Sequence, residues 1–243
     1  NNGLINIRKL GDPIVEIDES SKTISIKVNT PNQKIVFHNS NLADWTIDVD
    51  AKIPFPSNND VSRFDDKLLT GLLTIQDSSL KGIKIIFKGG KLEDSLNILR
   101  STGSIDYISV SNSYQDSIDF DFSNLEVEEI SINNAGNDCL DLSSGQYLIK
   151  RLYANTCKDK GVSAGERSLV KIKEAIITNA KIALVSKDSS ELIVNNGELI
   201  NFDICVAAYR KKQEFGQAKV SIPKELCPKD KSLIQINSIL LEK

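Results

Sequence analysis

The sequence of 243 residues contains no methionine, one tryptophan, one histidine and four cysteines. The single histidine, His38, excludes a histidine-rich zinc site and is the only imidazole that a catalytic triad could use. No run approaches the ~20 apolar residues that a membrane-spanning helix needs, so we expect no membrane insertion. The net charge of −3 argues against a nucleic-acid partner, because binding to duplex phosphates requires a basic face.

The missing methionine also bears on the origin of the chain. Because it begins with Asn1-Asn2 as well, we expect a processed or excised fragment. Four cysteines are too few for a disulfide scaffold, yet their placement favours an oxidising compartment. We therefore predict an extracellular, cell-surface or periplasmic location.

A short repeat organises the middle of the chain. Apolar residues recur at every 22nd position without drift, at Leu96, Ile118, Leu140, Val162, Leu184 and Val206. Around most of them apolar and polar positions alternate, which is the pattern of a strand with one buried face. Such a short unit cannot bury its apolar face alone, so copies must stack with their strands paired in parallel. The sequence predicts an all-β, single-stranded parallel β-helix solenoid with coils of about 22 residues, about nine or ten in number.

The rest of each repeat is less clearly marked. We predict a second column of strands around residues 108–110, 130–132, 148, 170–172 and 192–194. Asparagine pairs at the repeat interval predict a structural ladder at the turns: Asn112 and Asn134, Asn133 and Asn155, Asn179 and Asn201. Residues 1–68 are expected to form an N-terminal cap or irregular early coils, with a polar excursion at 58–66. Residues 69–243 are expected to form the β-helix with a C-terminal capping coil.

The columns between Leu96 and Val206 resemble the right-handed parallel β-helix superfamily, the pectate-lyase-like solenoids. Right-handedness is implied by this resemblance and not by the spacing. The blocks at 183–190 and 207–216 also look like β-helix segments of bacterial extracellular proteins, some of which carry CotH-type kinase modules. No kinase motif is present in this sequence.

The outward positions of the first strand place Asp119, Asp121 and Asp141 on one face. In pectate-lyase-like enzymes, aspartates on such a face hold calcium against a substrate carboxylate while an Arg or Lys removes the neighbouring proton. The resemblance therefore implies a calcium site at these aspartates, with Lys187 and Arg210 as catalytic residues. Lys187 is expected roughly 10 Å from Asp141, because two coils separate them. The alternative is that these charges only solvate the strand and prevent lateral association.

The turn after Tyr209 is longer than its counterpart in the preceding copy, and insertions in solenoids concentrate on binding faces. Aromatic rings in this region could stack on a sugar, while its charged groups could meet an anionic substituent. The predicted substrate-binding residues are Glu166, Arg167, Tyr209, Lys211, Lys212 and Phe215. The alternative is that Phe215 packs the turn down and the lysines are solvated.

The cysteines can be paired from the repeat. Cys205 and Cys227 are one full repeat apart, so they face each other and can form a disulfide if the last turn keeps register. Cys139 and Cys157 could pair across a turn. The alternative is that these residues are small buried hydrophobes.

These features predict an extracellular module that engages an acidic polysaccharide along an outer strand face. Cleavage of that polysaccharide by β-elimination is the catalytic version of this hypothesis, and calcium is the one cofactor implied. The competing hypothesis is a non-catalytic structural or adhesin-like surface module.

Overall fold

The structure is a computed structural model that describes residues 4–53 and 69–242. The predicted polar excursion at 58–66 and the predicted domain boundary at 68 lie outside these residues. Within them the chain forms strands and one 3-10 helix, Lys229–Lys231. The strands are β1 Ile7–Leu10, β2 Ile14–Asp18, β3 Thr23–Lys27, β4 Lys34–His38, β5 Asn41–Ala43, β6 Thr46–Ala51, β7 Gly71–Gln76, β8 Ser79–Gly89, β9 Asp94–Leu99, β10 Thr102–Ser113, β11 Asp116–Asp121, β12 Asn124–Ala135, β13 Leu140–Ser143, β14 Gln146–Gly165, β15 Leu169–Lys187, β16 Glu191–Tyr209, β17 Lys219–Ile222, β18 Ser232–Ile234 and β19 Ile239–Glu242.

The strands stack as a parallel β-solenoid of about nine turns, which confirms the predicted fold class. The column that marks the repeat forms one continuous ladder in which each residue pairs with its equivalent in the next coil. All six of its members are fully buried: Leu96, Ile118, Leu140, Val162, Leu184 and Val206. The ladder also extends towards the N-terminus through Leu73 to Ile35. One unbroken apolar core therefore runs along the solenoid.

The first strands cap the solenoid in a different way. β1 pairs antiparallel with β4, and β2 pairs antiparallel with β3. Parallel stacking begins with β3 on β6 and β4 on β7. The antiparallel strands thus cover one end of the stack, where a solenoid otherwise leaves its core open.

The second predicted column of strands is wrong in one respect, because its residues belong to two different columns. Ile130 pairs with Leu152 and not with a residue near Leu148. Val170 pairs with Tyr147, which lies in another strand segment. Each coil therefore contains two further strand segments besides that of Leu96, and the predicted column mixed residues of both. The cause is that β12 and β14 to β16 continue through a bend between segments, so no turn residue marks the boundary in the sequence.

Two ladders of polar side chains hold the turns together. The predicted asparagine ladder is present, with Nδ2 of Asn134 donating to Oδ1 of Asn112 at 2.9 Å and Asn201 donating to Asn179 at 2.6 Å. A buried serine ladder was not predicted. In this second ladder the backbone N of Ser101 donates to the hydroxyl of Ser123 at 3.0 Å, so each coil satisfies a buried N–H of its neighbour.

Candidate functional site

The outward side of the strand segment that follows each bend carries a cluster of carboxylates, which we call the acidic groove. Each coil contributes three positions to it. Those of Asp119 and Asp121 alternate with the buried Ile118 and Phe120, while that of Asp116 lies two residues before Ile118. The acidic members of the groove are partly or completely buried and lie in consecutive coils, from the start of β9 to the residue that follows β14. They are Asp94, Asp116, Asp119, Asp121, Asp138, Asp141 and Glu166, accompanied by the lysines Lys160 and Lys187.

Backbone N–H groups hold the first column of the groove in place. Asp94 pairs with Asp116 across β9 and β11. Oδ1 of Asp116 accepts hydrogen bonds from the backbone N of Asp138 at 2.8 Å and from Nδ2 of Asn137 at 2.7 Å. The backbone N of Lys160 donates in the same way to Oδ1 of Asp138, at 3.0 Å. Asp116 and Asp138 are therefore each fixed by the coil that follows them.

Asp116, Asp138 and Asp141 form the tightest group in the groove. One carboxylate oxygen from each lies within 4.8 Å of the others, which is a spacing that can hold a metal ion. Asp116 and Asp138 are 8% and 3% exposed, whereas the Asp141 side chain is 22% exposed. The group is therefore reached from solvent through Asp141, and its three oxygens suit a hard cation such as calcium.

The predicted metal ligands lie partly in this group and partly beside it. Asp141 belongs to it, while Asp119 is the register neighbour of Asp141 and Asp121 lies two residues further along β11. Asp119 and Asp121 are half-buried and not exposed, and Oδ2 of Asp121 accepts a hydrogen bond from Nδ2 of Asn97 at 3.0 Å. The sequence analysis thus selected the face on which these carboxylates lie, but it missed Asp116 and Asp138, which belong to the most closely spaced group on that face.

Burial and mutual repulsion change the protonation of the groove. Burial, together with the charges of Asp138 and Asp141, raises the pKa of Asp116 to about 7. Burial likewise raises the pKa of Asp138 to about 6, against the opposing effect of Lys160. The pKa values of Asp94 and Asp119 are raised well above their usual range, chiefly by burial and then by neighbouring carboxylates. Such a site holds protons near neutral pH unless a cation replaces them.

Two lysines close the C-terminal end of the groove. Nζ of Lys160 lies 3.2 Å from Oδ1 of Asp138 and 2.5 Å from Oδ2 of Asp159. Nζ of Lys187 donates to the hydroxyl of Ser163 at 2.8 Å and lies 3.6 Å from Oδ2 of Asp141. Two coils separate Lys187 from Asp141, as expected. The expected distance was wrong for the charged groups, because the lysine side chain reaches back towards the carboxylate.

Lys187 is held in its charged form. Its side chain is only 7% exposed, and burial opposes the charge. Asp141, Asp138 and Glu166 outweigh burial and raise the pKa of Lys187. A general base must be deprotonated to accept a proton, so this environment favours an electrostatic role for Lys187 over proton abstraction.

Four of the six predicted substrate-binding residues pair with one another around the long turn: Glu166 with Lys212, and Arg167 with Phe215. The turn is confirmed as an insertion, because Glu191 pairs with Lys219, several positions beyond one repeat, while Lys187 pairs with Tyr209, one full repeat on. Oδ1 of Asp188 fixes the turn by accepting hydrogen bonds from two of its backbone N–H groups, each at 2.7 Å. Those N–H groups belong to Lys211 and Lys212.

Side chains pair across the same turn. Nζ of Lys212 lies 2.5 Å from Oε1 of Glu166, and the guanidinium of Arg167 lies 5.3 Å from the ring centre of Phe215. Arg210 is exposed, and its backbone N donates to Oε1 of Gln235 at 2.6 Å. The structure therefore places Arg210 in the exposed turn, while Lys187 lies in the groove.

Several buried polar atoms have no hydrogen-bond partner within the described part of the chain, and two of them lie at the N-terminal end of the groove. They are Oδ2 of Asp94, in a residue only 1% exposed, and Oγ1 of Thr74, which is fully buried. A buried polar atom without a partner costs free energy, so it often marks a place where a ligand or ion belongs. Asp94 pairs directly with Asp116, which places its carboxylate at the N-terminal end of the groove.

Two disulfides connect neighbouring coils, one beside the groove and one nearer the C-terminus. Cys139 bonds to Cys157 with their Cα atoms 5.3 Å apart, and Cys205 bonds to Cys227 with their Cα atoms 5.8 Å apart. Both pairings that the spacing suggested are therefore present. Cys139 directly follows Asp138. The Cys139–Cys157 bridge therefore anchors the chain next to the group formed by Asp116, Asp138 and Asp141.

Comparisons with known proteins add no relative: no protein-family model, curated protein or solved structure matches this chain. No helix in the described part of the chain has both the length and the apolar composition needed to cross a membrane. The chemistry of the site therefore rests on its own residues.

Proposed function

We propose that the protein is an extracellular β-helix module that engages an acidic polysaccharide along the acidic groove through a bound divalent cation. The observation that carries this proposal is the close approach of the Asp116, Asp138 and Asp141 carboxylates at a partly open surface. Carboxylate oxygens bind calcium, and open coordination positions of the ion can accept the carboxylates of a polyuronate. The two disulfides support an oxidising location outside the cytosol.

A bound cation would allow the acidic groove to bind an acidic polysaccharide. Above the raised pKa values of its carboxylates, a metal-free groove with seven carboxylates and two lysines repels a polyanion. A divalent ion inverts the local charge and is often the largest charge in such a site. It also replaces the protons that raised pKa values allow Asp116 and Asp138 to hold. We therefore expect glycan binding to require the metal.

The parallel β-solenoid is compatible with the pectate-lyase-like resemblance, in which the same face binds calcium and substrate. β-Elimination breaks the C4–O bond of a uronate after a base removes its C5 proton, and it leaves an unsaturated sugar. The charged state of Lys187 does not favour it as that base. We therefore propose binding as the main function and keep cleavage as the catalytic version, with Lys187 and Arg210 as its candidate residues.

Calorimetric titration with oligogalacturonate, in calcium or in EDTA, tests the proposal. We expect binding in calcium that disappears in EDTA and in Asp138→Asn. The exposed Asp203 on β16 supplies a control, since Asp203→Asn changes the same charge outside the groove. Equal binding in EDTA, or unchanged binding by Asp138→Asn, would contradict the proposal.

The same samples can be assayed for unsaturated sugars by their ultraviolet absorbance. Release that Lys187→Ala or Arg210→Ala abolishes in a folded protein would support β-elimination. If no polyuronate yields unsaturated ends with or without calcium, the catalytic version is wrong.

The alternative is a structural or adhesin-like surface module. It is favoured by the internal pairing of Glu166 with Lys212 and of Arg167 with Phe215, which leaves these side chains less available to a ligand. A glycan array separates the two hypotheses: retention of acidic glycans supports the binding module, and no retention of any glycan supports the structural one.

A further inference from the structure

A second recess lies at the bend that precedes the acidic groove, and we call it the lysine pocket. Its volume is about 560 Å³, which is within the range of small-molecule sites. It is lined by Lys52, Lys91 and Lys158, by Tyr114, and by the paired amides Asn112 and Asn134. None of the described residues that line it is acidic. Its chemistry is therefore opposite to that of the groove.

The three lysines come from different coils that the solenoid stacks together. Lys52 follows β6, Lys91 lies between β8 and β9, and Lys158 lies within β14. Lys91 is only 4% exposed, while the other two are exposed at the rim. The exposed ammonium groups of Lys52 and Lys158 create a positive potential at the rim, which would stabilise an anion bound in the pocket.

Tyr114 provides a ring next to these charges. Nζ of Lys91 lies 5.8 Å from the centre of the Tyr114 ring. An aromatic ring offers a flat apolar surface with a polar tip, which suits a sugar ring that bears hydroxyl groups. The asparagine amides add donors and acceptors of hydrogen bonds. Burial lowers the pKa of Lys91.

Two glycines allow the coils to form this pocket. Gly89 has φ of +93°, and a Cβ there would lie 2.2 Å from the backbone O of Ala51. A Cβ at Gly136 would lie 1.7 Å from the backbone O of Tyr114. The wall is therefore close-packed backbone, with the lysines, the tyrosine and the asparagines as its functional side chains.

The lysine pocket and the acidic groove are neighbours along each coil. Tyr114 precedes Asp116 by two residues, and Lys158 precedes Lys160 by two residues. Two residues of extended chain span roughly 7 Å. One polysaccharide chain can therefore reach both sites at once.

We propose that the lysine pocket binds the anionic substituent, carboxylate or sulfate, of one sugar unit, with the sugar ring against Tyr114. This inference rests on the proposed function, because the same acidic glycan is held by the cation in the groove. The glycan thus meets a metal at one sugar unit and lysines at another. Such a pair of contacts selects regularly charged polysaccharides over neutral ones.

Monosaccharides in EDTA test the pocket separately from the metal. The probes are galacturonate, sulfated galactose and neutral galactose, followed by backbone amide NMR shifts. We expect saturable shifts at Asn112, Tyr114, Asn134 and Gly136 with an anionic sugar and none with galactose. Whichever anionic sugar binds more tightly identifies the substituent. The absence of such shifts with both anionic sugars would overturn the proposal, and so would equal shifts with inorganic sulfate, which lacks a ring.

Variants then test the lysines. The double variant Lys52→Gln/Lys158→Gln changes exposed residues and should weaken binding of the anionic sugar at least about tenfold, since it removes two charged contacts. Lys173→Gln, on the exposed side of β15, is the matched control and should change binding less than about twofold. Unchanged binding by the double variant would overturn the proposal. Polymer binding that needs calcium yet ignores these lysines would leave the metal groove standing and remove the pocket alone.

Discussion

Replacing Asp116 by Asn should stabilise the metal-free protein at alkaline pH and leave its stability near pH 4 unchanged. The carboxylate is 8% exposed, and its Oδ1 accepts hydrogen bonds from Asn137 and Asp138. An amide oxygen can accept the same two bonds. The substitution therefore removes the charge and keeps the contacts.

The size of the effect follows from the pKa of Asp116, which burial and neighbouring carboxylates raise from 3.8 to about 7. The folded protein holds this proton where the unfolded chain has lost it, so the free energy of unfolding falls as pH rises between these values. The difference corresponds to roughly 4 kcal/mol above pH 7, or about 10 °C in Tm for a chain of this length.

Thermal unfolding followed by circular dichroism in EDTA, from pH 4 to pH 8, measures this effect. The wild type and Asp203→Asn should lose stability together as pH rises, while Asp116→Asn should lose less. Calcium should reduce the difference in Tm between the wild type and Asp116→Asn at pH 8, because it stabilises only proteins with an intact site. A gap between the wild type and Asp116→Asn that is independent of pH would refute the reasoning, as would a wild type that gains stability through this range.

Three further predictions concern the solenoid itself. The double variant Cys205→Ser/Cys227→Ser should lower the free energy of unfolding by about 3 kcal/mol in a denaturant titration. Reducing both bridges of the wild type should lower it further, and an equal loss would mean that the Cys139–Cys157 bridge contributes nothing. Leu140→Ala opens a cavity in a fully buried ladder and should cost about 2–5 kcal/mol in the same assay; a cost below about 1 kcal/mol would mean that the ladder is not close-packed. Gly89→Ala should lower Tm by several degrees, because its Cβ meets the backbone O of Ala51, and an unchanged Tm would contradict the close approach of these coils.

The repeat interval was sufficient to predict the fold, because parallel in-register stacking repeats the chain's own spacing in space. Ile118 therefore lies on Leu140 as expected. Asp94, Asp116 and Asp138 are also one repeat apart, each two residues before an apolar residue of the repeat. They were not predicted as site residues, because the strand pattern was read only from Leu96 onwards. A search of every column for repeated carboxylates would have found them.

Two other features could not be predicted from the repeat interval. One depends on the length of a side chain, and the other depends on strands that continue through a bend. The Lys187 side chain spans two coils to approach Asp141, so its paired state follows from its length and not from its column. The pocket around Lys91 joins residues from five coils. Tyr114, Gly136 and Lys158 are separated by whole repeats, but Lys52 and Lys91 are not, so the repeat interval does not bring the three lysines together.

The metal site can be tested by a crystal structure of the protein grown with calcium and checked by anomalous scattering after manganese exchange. We predict one ion bound by Asp116, Asp138 and Asp141, at oxygen distances of about 2.3–2.6 Å for calcium. An acidic groove that contains no ion at saturating calcium, or an ion held only by other residues, would contradict it.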